Sequence, residues 1–361
     1  MKNEHKNIKK RTNKSLKLAF GKISVAFRNS RKQNLVIVLA TIFLFVLFAL
    51  INPGFADSDV LLTMSKSVVP YAILGLGVTF VIATGGIDLS IGTVCVGSSV
   101  LAGAICNTGV TQEEGVLWLT VPIIIVTGTL FGLLNGFLVA KCKIAPFIAT
   151  LGTMLVSRGI TSVISEAVRG TSSAVKYPTT GYFQKLFTNN NGFPIGIVWV
   201  IALTLICMLV MYKTRLGRYI LAIGSNEEAT RLSGIDVDRY KIAAYTICGL
   251  FAGIASLFYT AANPSVTLAG GNGMELDAIA GVYIGGTSTT GGFASVIGTV
   301  LGSLILVVIR QGLNMALSSG SVVSATNITY AVTGVIVVGA VVVDVIKKKM
   351  ADRIKPDTPK E

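Results

Sequence analysis

The chain has 361 residues, 52% of them hydrophobic and only 13% charged, with a mean hydropathy of +0.71. A soluble protein carries about 25% charged residues, so a soluble domain is excluded. The composition predicts an all-α polytopic membrane protein. The net charge of +14 is gathered in four short segments flanking apolar runs, the distribution of cytoplasmic anchors and not of a nucleic-acid-binding surface.

Residues 1–34 form a basic tail, expected in the cytoplasm and able to touch anionic lipid. A span needs about 20 apolar residues. The first candidate is Leu35–Ile51, which has no small-residue cleavage site before Asn52-Pro53-Gly54 and reads as a retained span. Nine more follow: Val68–Thr84, Ile91–Cys106, Val116–Ala140, Ile144–Thr161, Phe193–Tyr212, Ile242–Ala262, Leu276–Gly285, Phe293–Gln311 and Asn327–Ile346. About ten spans put both termini in the cytoplasm, on the same side as Lys141, Lys143 and the loop 213–241. Asp57, Asp59, Glu113, Glu114 and the long polar loop Ser162–Asn191 fall on the opposite side. Ile144–Thr161 and Leu276–Gly285 are short and rich in Gly or Thr, so either could be a re-entrant half-helix. A second basic tail covers residues 347–361. Residues 35–346 then form one transmembrane domain.

The most informative segment is Ile82–Gly92. Gly85 and Gly86 end one span, and Asp88 or Ser90 can cap the next. A carboxylate at bilayer depth costs about 3 kcal/mol on insertion scales, so Asp88 is read either as a helix cap or as lining of a translocation path. Gly285-Gly286 followed by Ile297-Gly298-Thr299-Val300 repeats the pattern of Gly85-Gly86 followed by Ile91-Gly92-Thr93-Val94. Paired breaks in two halves point to a solute path. Glu275 and Asp277 read as outer caps or as contacts to a partner or passing substrate. Arg158 and Arg310 are expected to snorkel to the interface. Gly128, Gly132 and Gly136, Gly249 and Gly253, and Gly298 and Gly302 recur at helix-contact spacing.

Chemistry of its own is not expected. The single histidine, His5, lies in the tail, and the five cysteines lack metal-ligand spacing, so no metal, cofactor or catalytic residue is assigned. No GxxxxGK[ST] phosphate loop occurs, so any ATPase must be another subunit. In the loop 213–241, Ser225 and Glu228 form a capping-box pattern. They open a short amphipathic helix that stops at Gly234.

Four segments carry a family resemblance: Gly85–Ser90; Gly132–Gly136 with Pro146–Met154; Leu216–Gly234; and Met274–Ala280 with Gly285–Ser288. In this order they resemble the membrane permease subunits of bacterial ABC importers for monosaccharides, the ribose, xylose, arabinose and galactoside group. Glu228-Ala229-Thr230 with Gly234 resembles the family's coupling pattern Glu-Ala-Ala-x-x-x-Gly, with Thr in place of the second Ala. Gly291-Gly292-Phe293-Ala294 lacks the basic residue many relatives have. The resemblance implies a bacterial plasma-membrane permease moving a monosaccharide by alternating access. It implies cytoplasmic ATP-binding subunits docked on Ser225, Asn226, Glu227, Glu228, Ala229, Thr230 and Gly234, an extracellular or periplasmic sugar-binding protein, and a second permease copy. Expected path-lining groups are Asp88, Ser90, Asn135, Thr150, Thr153 and Tyr259. The alternative is an ABC permease for a nucleoside or branched-chain amino acid. An ion-coupled secondary transporter would need relay acids at mid-depth, and these are scarce.

Overall fold

The computed structural model describes residues 33–106, 114–170, 174–177, 181–188, 192–263 and 265–318, with scattered positions between 328 and 346. Residues 1–32 of the first basic tail, the whole second tail and half of the tenth expected span, Asn327–Ile346, lie outside the described residues. The helices are α1 Gln33–Ile51, α2 Ser58–Ala83, α3 Ile91–Ile105, α4 Glu114–Ala140, α5 Pro146–Arg169, α6 Tyr182–Phe187, α7 Ile195–Lys213, α8 Arg215–Ser225, α9 Glu227–Leu232, α10 Val237–Ala262, α11 Met274–Ile284 and α12 Val296–Ser318. Two-residue strands β1 (Val175–Lys176) and β2 (Ser265–Val266) pair antiparallel.

Seven of these helices (α1, α2, α4, α5, α7, α10 and α12) are long and apolar enough to cross a membrane. The chain is an all-α multi-pass membrane protein. The two short segments left open by the sequence resolve differently. α5 is a full-length span of 24 residues. α11 has 11 residues, about 16 Å at 1.5 Å per residue, and reaches only part of the way. α3, with 15 residues, is also short. The Ser162–Asn191 segment is less of a loop than expected, because α5 runs on to Arg169 and α6 follows.

α5 shows how lipid inverts the usual pattern. Phe147, Ile148, Leu155 and Val163 face outward, while Thr150, Thr153, Ser157, Thr161 and Ser165 are buried. With no water to satisfy them, such hydroxyls bond within the helix or across to neighbours. Thr150 donates to the Pro146 carbonyl at 2.8 Å and Thr153 to Asn135 at 2.6 Å.

α2 lies at the centre, packed on α7, α10, α11 and α12. Beside it, the glycine repeats press backbones together as their spacing predicts. Gly128 and Gly132 of α4 meet Gly249 and Gly253 of α10, and Gly298 and Gly302 of α12 meet Gly285 and Gly281. A methyl added at Gly128 would fall 2.8 Å from the Gly253 nitrogen and 2.9 Å from its Cα. Backbone cannot yield as a flexible side chain does. Gly128→Val is therefore expected to destabilise the α4–α10 pair by about 1–3 kcal/mol or more, read as a lowered melting temperature in detergent. Gly115→Ala, with no atom within 4 Å of the added carbon, is expected to melt like the parent.

Candidate functional site

Two helix breaks and a surface elbow define the site. At the first break, α2 stops because Gly85 takes a left-handed φ of +81°. The Gly85 N–H donates to the Ile82 carbonyl at 2.9 Å and the Gly86 N–H to the Val81 carbonyl at 3.2 Å, a Schellman-type ending. Asp88 follows, with 1% exposure. Its Oδ1 accepts the Ser90 N–H at 2.9 Å and the Ser90 hydroxyl at 2.7 Å. The Asn135 amide of α4 donates to the Asp88 carboxylate at 3.3 Å and to Ser90 Oγ at 2.8 Å. Thr153 of α5 then donates to Asn135 Oδ1 and, at 3.1 Å, to the Thr150 carbonyl. Tyr245 of α10 donates to the Ile87 carbonyl at 3.1 Å. The break is thereby tied to α4, α5 and α10.

Five of the six expected path-lining residues thus form one sealed polar cluster: Asp88, Ser90, Asn135, Thr150 and Thr153, all buried. Ser90 occupies the N-cap position of α3 but makes no side-chain capping bond; Asp88 instead holds Ser90 itself, just before the helix. Tyr259 stands apart. It lines a polar cavity of about 350 Å³ near the C-terminal end of α10, with Tyr71, Lys66, Asn263, Gln311 and Arg310. Arg310 is held by two protein side chains. It donates to Tyr71 Oη at 2.8 Å and pairs with Asp277. Asp277 is therefore a partly buried ion-pair partner and not a simple outer cap. The two residues are 33 apart on different helices, and no local pattern signals their contact. Arg158 donates to Asn272 of the loop before α11.

At the second break the left-handed residue is Gly286, φ +89°, whereas Gly285 stays helical at φ −64°. The Gly286 N–H donates to the Tyr283 carbonyl at 2.9 Å and the Thr287 N–H to Val282 at 3.2 Å. The ending matches that of α2, but Gly86 and Gly285 are not the turn residues. The equivalence is Gly85 with Gly286, one position off the register expected from the paired glycines. The loop closes on itself through the Ser295 N–H to Thr287 Oγ1 at 3.0 Å and the Ser288 N–H to the Phe293 carbonyl at 3.1 Å.

The elbow follows α7. α8 is capped by Thr214 and buries Ile220 and Ile223. The expected cap Ser225 is instead the last residue of α8. Asn226 caps α9, its Oδ1 accepting the Ala229 N–H at 2.9 Å. Both residue types cap well, and the packed face of α8 carries that helix one residue further than the capping pattern implied. Glu228 consequently faces solvent, and Glu227 holds the elbow. It bonds Lys241 of α10 at 2.6 Å and Arg231 at 3.1 Å. Asp238 adds pairs to Lys143 at 2.7 Å, Arg231 at 3.4 Å and Lys141 at 3.7 Å. The helix ends at Gly234, φ +81°. Its outer face presents Glu228, Ala229, Ser233 and Leu232, the last 83% exposed. An exposed leucine on a short helix clamped by ion pairs is the signal that the sequence pattern alone passed over.

Partial burial pushes the Glu227 carboxyl up, but the Lys241 and Arg231 partners outweigh it and hold it below the usual carboxylate range. A depressed folded pKa gives stabilisation that is present above the unfolded value of about 4.3 and lost as pH falls through the folded one. The elbow is therefore expected to keep its hold from roughly pH 5 to 8, above that carboxylate value. It is expected to loosen only in stronger acid. Hydrogen exchange of the 227–234 amides, corrected for intrinsic rates, checks this.

A central helix broken beside a buried carboxylate, a second matching break and a clamped surface elbow define a transport permease. The chain belongs to the family described as branched-chain amino acid transport system / permease component, which it matches over residues 60–341. It is 37% identical to the ribose import permease RbsC of Haemophilus influenzae, over 77% of this chain and 84% of the relative. Identity to the ribose import permease RbsC of Escherichia coli K12 is also 37%, over 77% and 85% of the two chains. The fructose import permease FruG of Bifidobacterium longum is 32% identical, over 76% and 82%. No solved structure matches the chain.

Proposed function

We propose that the chain is the membrane subunit of an ABC importer that carries a monosaccharide inward by alternating access. ATP is hydrolysed on separate cytoplasmic subunits, a binding protein outside the membrane delivers the sugar, and two permease copies work together. The termini and the 213–241 elbow face the cytoplasm. The carrying observation is the α9 face: Leu232 stands 83% exposed on a helix that ion pairs hold rigid, which suits a docking knob for a soluble motor. The names of the relatives, ribose and fructose permeases, support the solute class.

The residues take two roles in this reading. Asp88, Ser90, Asn135, Thr150 and Thr153 hold the first break in shape. Tyr259 belongs to the outer chamber, where Tyr71, Asn263 and Gln311 offer ring faces and amides to a polyhydroxylated solute. Its volume of about 350 Å³ falls at the small end of ligand sites, which run from about 300 to 1,000 Å³.

Proteoliposomes carrying the permease, its ATP-binding subunits and its binding protein test the proposal with a labelled panel of pentoses, hexoses, nucleosides and leucine-like amino acids. ATP-dependent uptake of a monosaccharide is expected. Preference for a nucleoside or amino acid would replace the solute class.

A further inference from the structure

We infer that Gly224, Gly291 and Gly292 are the positioning residues that join the docking elbow to both helix breaks, so that a pull on α9 moves the two breaks together. This inference rests on the reading of α9 as the motor-docking helix.

Gly224 is the penultimate residue of α8, directly before the elbow. A methyl added there would sit on the Ala83 carbonyl oxygen and on the Gly292 nitrogen, and 3.0 Å from the Gly291 carbonyl carbon. One added at Gly291 would lie 2.6 Å from the Gly85 nitrogen and 2.9 Å from the Gly224 Cα. One added at Gly292 would lie 3.0 Å from both the nitrogen and the Cα of Ser225. Three chain segments far apart in sequence therefore meet backbone on backbone, the Ser225 hydroxyl being the one side chain that also lies against Gly292. A hydrogen bond closes the junction: the Gly292 N–H donates to the Ala83 carbonyl at 3.0 Å. That carbonyl is at the end of α2, where the helix can no longer use it. Gly291 and Gly292 have φ of +81° and +78°, a region that other residues occupy at a cost.

Such a contact suits transmission. Side-chain contacts can slip between rotamers, whereas touching backbones move as one body, because packed interfaces do not deform smoothly. The elbow touches the end of the most enclosed helix, α2, and the loop joining α11 to α12 at the same point. Displacing α9 therefore displaces the Gly85 turn and the Gly286 turn in step. The sequence shows Gly224 as an ordinary glycine inside a helix; only the structure brings it to Gly291.

The test uses the complete complex in proteoliposomes. Gly224→Ala keeps a helical backbone and adds one methyl at the junction. It is expected to leave the ATP-binding subunits bound and hydrolysing, while sugar carried per ATP falls roughly tenfold or more. Gly115→Ala, away from the junction, is expected to match the parent. Parent-like sugar per ATP in assembled Gly224→Ala complexes would overturn the inference. If that variant does not assemble, hydrogen exchange on the unmodified complex decides, with and without a non-hydrolysable ATP analogue. Peptides covering 218–226, 83–92 and 285–296 are expected to change protection together. A change confined to 218–226 would overturn the inference. Failure of the underlying reading looks different: the unmodified complex would then bind no ATP-binding subunit and carry no sugar with ATP.

Discussion

Leu232→Asp is expected to release the ATP-binding subunits from an otherwise intact membrane protein. Leu232 is 83% exposed, so the fold loses almost nothing when it changes, and the 227–241 ion pairs remain. In a docked complex, by contrast, a carboxylate would replace an apolar knob in a water-excluding socket. Central interface residues of this kind carry about 2 kcal/mol or more, roughly a thirtyfold loss of affinity. Pull-down of the ATP-binding subunits, beside a melting curve of the permease, separates the two effects. Glu228→Lys on the same face is expected to act in the same direction. Undiminished capture of the subunits by Leu232→Asp would move the docking surface elsewhere.

Asn135→Leu is expected to be the most damaging change inside the membrane. Asn135 donates to Asp88 and Ser90 and accepts from Thr153, so one amide links the first break to α4 and α5. Leucine fills similar space but leaves the Asp88 carboxylate with Ser90 and the Cys248 thiol as its remaining side-chain partners. A lost hydrogen bond to a charged group costs about 1.5–3 kcal/mol, and burial leaves no water to substitute. The melting temperature in detergent is expected to fall accordingly. Asp88→Asn, which keeps the shape and exchanges one carboxyl oxygen for an amide group, is expected to cost less. Equal and small shifts for both would mean that the cluster does not hold the break.

Much of this architecture was legible in the sequence because lipid leaves few solutions. Nine of the ten apolar runs, which coincide with helices among the described residues, the glycine repeats and the break at Gly85–Asp88 all follow from the demand that backbone polar groups be satisfied within the membrane. The pairing of the two breaks was visible, but its register was not. Gly285-Gly286 looks like Gly85-Gly86, and only the backbone shows that Gly85 and Gly286 are the turning residues. The elbow was visible as a capped, amphipathic segment. Its cap moved from Ser225 to Asn226 because Ile220 and Ile223 bury one face of α8, a tertiary preference that the capping pattern does not contain. The Arg310–Asp277–Tyr71 cluster and the Gly224–Gly292 junction left no local trace, since each depends on helices distant in the chain. Tyr259 separates from the other polar candidates for the same reason: residue type predicted its polarity, but only packing decides which cavity it lines.

The central claim is that this chain is a gate opened by a separate ATP-hydrolysing engine gripping α9. The most direct measurement is solute uptake into proteoliposomes, made with and without the ATP-binding subunits, under ATP or under an imposed proton or sodium gradient. Accumulation is expected only with the subunits and ATP present. Accumulation by the purified chain alone, driven by the ion gradient, would contradict that claim.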